Sequence, residues 1–139
     1  MIILGNIVSL VANLLALAST RMQVYRKTML VQALDSASAS LSNLILGGYS
    51  GAIVSICASI RNLYCAIGKK TKIITYVFMA LTVILAILFR DKAWYGFIPI
   101  IASTSYGIIT LNTEDIKKVK IALIINILLW SIYSAIILD

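Results

Sequence analysis

Two charges stand inside apolar runs of this sequence. Asp35 lies within LDSASASLSN (34–43) and Arg61 within AIVSICASIRNLYCAI (52–67). A charge at the centre of a bilayer costs roughly 3 kcal/mol or more, so such residues pair with one another or line a polar interior. The turn GGYSG (47–51) separates the two runs. Asp35 is 14 positions before Tyr49 and Arg61 is 12 after it. At ~1.5 Å of helix rise per residue the two charges come to nearly equal depth, and they are expected to face each other. Three roles stay open for them: an ion pair that fixes helix packing, a gate or solute contact, or an Arg61 that reaches to the headgroups. Asp35 is the only acid inside a span, and the chain has no histidine. A partnered Asp35 is a poor proton carrier, which favours uncoupled movement of a solute over proton coupling.

The polar residues around these charges fall into stripes. At ~100° per residue, Gln32, Ser36, Ser40 and Asn43 share one helix face, and Asp35, Ser38 and Ser42 the adjoining one. Leu34, Leu41 and Leu44 take the opposite side. The polar half must face protein or water. In the next helix Gly51, Ser55, Ala58, Ser59, Asn62 and Ala66 form a small-residue stripe, either a packing seam or a solute lining. Arg61 points roughly 100° away from that stripe, so both cannot face one neighbour. Nearer the C-terminus Asn126, Trp130 and Tyr133 recur at i, i+4 and i+7. They read as the floor of a site for a small polar solute or as an interfacial aromatic belt. Ser103, Ser105 and Tyr106 lie on the preceding helix, where Pro99 is expected to free a backbone carbonyl. The candidate solute pathway or gate is therefore Asp35, Asn43, Ser59, Arg61, Asn62, Asn126 and Trp130. Nothing points to catalysis, a cofactor or a metal. Cys57 and Cys65 read as packing residues.

These residues need helices to position them. The chain has 139 residues, 61% hydrophobic and 12% charged. Soluble domains carry about 25% charged residues, so the class is an all-α polytopic membrane helix bundle with the lipid bilayer as its solvent. Six transmembrane helices are expected, near 2–19, 28–47, 50–67, 73–89, 94–111 and 119–138. The apolar N-terminus lacks a basic lead, so it reads as a retained first helix and not a cleaved signal. The net charge of +7 comes from short loops, with no aromatic-studded basic patch, so nucleic acid is not a partner. Loops 20–27, 68–72 and 111–120 hold nine basic residues: Arg21, Arg26, Lys27, Lys69, Lys70, Lys72, Lys117, Lys118 and Lys120. The other face has only Arg90 and Lys92, around Asp91. The positive-inside rule makes the first set cytoplasmic and puts both termini outside. Trp94 and Tyr95 read as an interfacial anchor, and Glu114 and Asp115 as caps of the last helix.

A weak repeat at an offset of 91 aligns Arg26-Lys27 with Lys117-Lys118 and Asp35 with Asn126. It divides the chain into a three-helix unit (1–72), a spacer helix and loop (73–92) and a partial second unit (93–139). A seventh helix would complete the pattern. The segments YRKTMLVQALDSASASLSNLILGGYSGAIVSICASIRNLYCAIGKK, YGFIPIIASTSYGIIT and NILLWSIYSAII resemble the YgjV family of bacterial inner-membrane proteins. More distantly the layout is similar to the SWEET and PQ-loop triple-helix-bundle transporters. The resemblance implies a multi-pass protein of the bacterial cytoplasmic membrane that facilitates passage of a small polar solute. The alternative is a non-transporting assembly or regulatory protein. The incomplete second unit fits that alternative and also fits a homo-oligomer. A reporter fused after Asp139 is expected to report the outside face; a cytoplasmic signal would refute the six-span count.

Overall fold

The computed structural model describes residues 2–68, 72–88 and 94–137. Lys69, Lys70, Arg90, Asp91, Lys92 and the terminal Asp139 lie outside the described residues. Those described form six α-helices and one short 3-10 turn, with no strand among them. The helices are α1 (Ile2–Arg21), α2 (Tyr25–Leu46), α3 (Tyr49–Ile67), α4 (Lys72–Leu88), α5 (Ile98–Asn112) and α6 (Ile116–Ile137).

Three of the six, α1, α3 and α6, are long and apolar enough to cross a membrane by length and composition alone. That corrects the expectation of six such spans. The serines, Asp35 and the Arg26-Lys27 pair dilute the hydropathy of α2, whereas α4 and α5 are short, at 17 and 15 residues. The shortening of α5 has a local cause. Trp94–Phe97 winds as a 3-10 turn, and Pro99 falls in the first turn of α5. A helix start leaves N–H groups without partners in any case, so Pro99 frees no carbonyl inside a helix.

Turn chemistry sets the hairpin of α2 and α3. Gly47 takes φ 86°, the left-handed conformation that glycine adopts without a Cβ penalty. The Gly48 N–H then reaches the Asn43 carbonyl at 2.8 Å and the Gly47 N–H the Leu44 carbonyl at 3.4 Å. This is a Schellman closure, and it turns the chain without stranding carbonyls in an apolar setting. At the start of α6, Asp115 caps as its position suggests: Oδ1 accepts from the Lys117 N–H at 2.9 Å.

Helix α2 packs along both α1 and α3, and α5 packs along α6. Helix α3 also meets α5, and α1 briefly meets α6. Five helices thus surround a centre, while α4 packs on α3 and α5 from outside. The serines of α2 and α3 make the seams. Ser40 donates to the Ala52 carbonyl at 2.9 Å, Ser42 to the Gly5 carbonyl at 2.9 Å and Ser59 to the Ala33 carbonyl at 2.7 Å. Interhelical hydrogen bonds of this kind average ~0.6 kcal/mol, so they locate the helices more than they weld them. Leu34, Leu41 and Leu44 face outward, as their spacing indicates. Gly51 lets α3 approach α6, since a Cβ there would meet Asn43 and Tyr133 atoms at 3.1 Å. Gly51→Val is expected to cost on the order of 1–3 kcal/mol through overpacking and to lower the melting temperature in detergent. Leu34→Ala on the outer face should leave it nearly unchanged. Equal melting of Gly51→Val and wild type would refute the close α3–α6 contact.

A polar cavity around an unpaired arginine

The five surrounding helices enclose a cavity of about 400 Å³, within the range of small-molecule sites. Its wall on α2 is Gln32, Asp35, Ser36, Ala39, Ser42 and Asn43, which recur at three- and four-residue spacing. Ser40 turns away from this stripe to bond α3. Helix α3 contributes Ser55, Ala58, Arg61 and Asn62, and α6 contributes Asn126 and Trp130. Helix α1, which the sequence offered no reason to include, contributes Ser9 and Asn13. Exposed Asn13 on α1 and Ser131 and Ser134 on α6 mark its rim. The end of the bundle where α2 and α6 start is shut by Met29, Cys65, Tyr106, Val119, Ala122 and Leu123.

Of the sequence candidates, Asp35, Asn43, Arg61, Asn62, Asn126 and Trp130 all meet in this one cavity. Ser59 does not line it, because its hydroxyl is committed to the Ala33 carbonyl. Tyr133 is fully buried, not in a lipid-facing belt. Its hydroxyl lies 3.3 Å from Ser50 Oγ and its ring packs edge-on to Trp130 at 5.7 Å.

The expected pairing of Asp35 with Arg61 is not made. Arg61 donates from Nε and Nη2 to Asn62 Oδ1 at 3.3 and 3.2 Å, and from Nη1 to the Ser103 carbonyl at 3.1 Å. Its guanidinium carbon stands 5.6 Å from the centre of the Tyr106 ring, a cation–π contact. The register explains the difference. Ser40 bonding Ala52 and Ser59 bonding Ala33 set α2 and α3 so that Arg61 is level with Val31. Asp35 is level with Cys57, about one turn or ~6 Å along the axis. The long arginine stem then swings toward α5, where Gly107 leaves room for Nη1. That same reach lets Arg61 and Asn62 serve one cavity despite the 100° between them.

Three buried side-chain atoms lack a hydrogen-bond partner among the described residues: Gln32 Nε2, Thr104 Oγ1 and Asn126 Oδ1. Two of them, Gln32 and Asn126, belong to cavity residues. Gln32 Oε1 accepts the Tyr106 hydroxyl, which fixes the amide and leaves Nε2 as the uncommitted donor. Several serine and threonine hydroxyls elsewhere satisfy themselves on their own helix, as Thr82 does on the Phe78 carbonyl. An amide or carboxylate is less able to do so, and these groups are the ones gathered here. Tyr106 and Gln32 were legible as polar residues on their helices. Their direct bond, which braces α2 against α5, was not.

Six helices, five of them around a polar interior and three long and apolar enough to span, define a helical membrane protein with a central cavity. The chain belongs to the Imp-YgjV family of bacterial inner membrane proteins, whose family model matches residues 3–138. No curated protein and no solved structure matches it.

Asn62 is expected to be the main anchor of Arg61. Asn62→Ala should destabilise the protein by on the order of 1–3 kcal/mol, because it removes the acceptor of a buried cation. Arg61→Met in that background should recover most of the loss. Thermal unfolding in detergent measures both; a neutral Asn62→Ala would show that the cation is held otherwise.

Proposed function

We propose that this protein carries a small polar solute across the bacterial inner membrane through the central cavity. The observation that supports the reading is chemical. Two polar atoms with no hydrogen-bond partner among the described residues, Gln32 Nε2 and Asn126 Oδ1, are gathered with Asp35 at one cavity of ligand size. Polar groups in an apolar bundle cost several kcal/mol when nothing satisfies them, and a solute would satisfy these. Helices α2, α4 and α5 cross the membrane alongside α1, α3 and α6, with α2 shielded from lipid by α1 and α3. The basic starts of α2 and α6 face the cytoplasm, and the rim between α1 and α6 opens toward the outside. The Met29–Tyr106–Leu123 cluster is then the inner gate. The division into a three-helix unit, a spacer and a partial second unit resembles the triple-helix-bundle carriers and favours a facilitator-like protein; the expectation of uncoupled movement rested on an Asp35–Arg61 pair that is not made.

The test is a thermal-stability screen of the purified protein against sugars, nucleosides, amino acids and vitamins, on wild type and Asp35→Asn. At least one solute is expected to raise the melting temperature of wild type and not of the variant. No shift with any solute would favour a non-transporting assembly or regulatory protein.

A further inference from the structure

The two charges of the cavity narrow its ligand. Arg61 is buried and makes no ion pair with Asp35 or any other acid among the described residues. Its guanidinium has five N–H groups. Asn62 and Ser103 engage three, leaving two. Gln32 Nε2, on a side chain that is 1% exposed, is a further donor without a partner. By the register described above Gln32 is nearly level with Arg61, and Tyr106 holds both, by its hydroxyl and by its ring face. This end of the cavity therefore offers N–H donors and positive charge.

One turn along α2 the character reverses. Asp35 lines the same cavity and makes no hydrogen bond among the described residues. Across from α2, Asn126 Oδ1 on α6 is an acceptor without a partner. This end offers acceptors and negative charge. Two opposite charges in a weakly polarisable interior attract strongly, yet here they are held apart by the register of α2 and α3. Neither is neutralised by an opposite charge among the described residues, and both line one cavity. A ligand with its own separated charges in the opposite order would neutralise both.

We infer that the cavity selects a small zwitterion of the α-amino acid class, its carboxylate on Arg61 and Gln32 and its ammonium on Asp35 and Asn126. The inference rests on the solute-binding reading above. A monoanion would leave Asp35 without a counter-charge, a monocation would leave Arg61 so, and an uncharged sugar would leave both. Trp130 lines the cavity beside Asn126, one helical turn along α6, and supplies an apolar face for the remainder of the solute.

Trp130 is also the reporter. The chain has two tryptophans, so Trp94→Phe makes Trp130 the sole indole. Full-length protein with that change, in lipid nanodiscs, would be titrated with α-amino acids from glycine to phenylalanine. Lactate, alaninamide and glucose would be run beside them. At least one amino acid is expected to change Trp130 emission saturably. Lactate and alaninamide, each missing one charge, should bind at least about tenfold more weakly than alanine, the loss of one charge-assisted hydrogen bond. Gln32→Leu and Asp35→Asn should each weaken the amino acid by a similar factor. The comparison among ligands on one protein holds even where a variant folds poorly. Saturable binding of glucose, lactate or alaninamide as tight as that of every amino acid would overturn the zwitterion and keep a solute site. No saturable response to any of them, together with a silent stability screen, would overturn both.

Discussion

A polar side chain inside a hydrocarbon slab has to find its partner within the protein, and α2 is built around that constraint. Its LDSASASLSN run would be costly against lipid, so the helix sits between α1 and α3 and turns Leu34, Leu41 and Leu44 outward. Its serines do two jobs. Ser40 and Ser42 reach carbonyls of α3 and α1 and tie the three helices at defined heights. Ser36 lines the cavity, and so does Ser42. Everything at the centre follows from the heights these bonds set, because they decide which residues of α3 stand opposite which residues of α2.

Arg61 shows how much turns on that register. Counting from the GGYSG turn puts Arg61 and Asp35 at one depth, and pairing them is the economical solution for two buried charges. The hydroxyl-to-carbonyl bonds instead leave the two about a turn apart, and the flexible stem carries the guanidinium to α5. There it is held by neutral acceptors and an aromatic face. Neutral acceptors hold a cation in place without cancelling its charge, so the field of Arg61 remains available to whatever occupies the cavity.

The basic residues answer to a different constraint. Arg26 and Lys27 stand in the first turn of α2, and Lys117 and Lys118 in the first turn of α6. The helix dipole makes a cation unfavourable there by about 0.3–1 kcal/mol. Their placement therefore serves something other than helix stability, and retention on one side of the membrane is a physical reason that fits their grouping. On α6 the cost is partly offset by Asp115, whose carboxylate caps the same turn.

The sequence by itself determined the class, the six helices to within a few residues, the outward leucines and the cap at Asp115. These follow from local properties: apolar run length, helical periodicity and the chemistry of a terminus. It also singled out six of the cavity residues, because an amide or charge in an apolar helix is conspicuous without a fold. Only the tertiary structure decided their partners. Ser59, on the same stripe as Asn62, became a seam because Ala33 of α2 lies against it. Pro99 proved harmless because a 3-10 turn precedes it. The Asn62 anchor of Arg61, the Tyr106–Gln32 brace and the share of α1 in the cavity depend on axial register and side-chain reach. Sequence periodicity gives a residue's angle on its own helix but carries no information about its height against a neighbour.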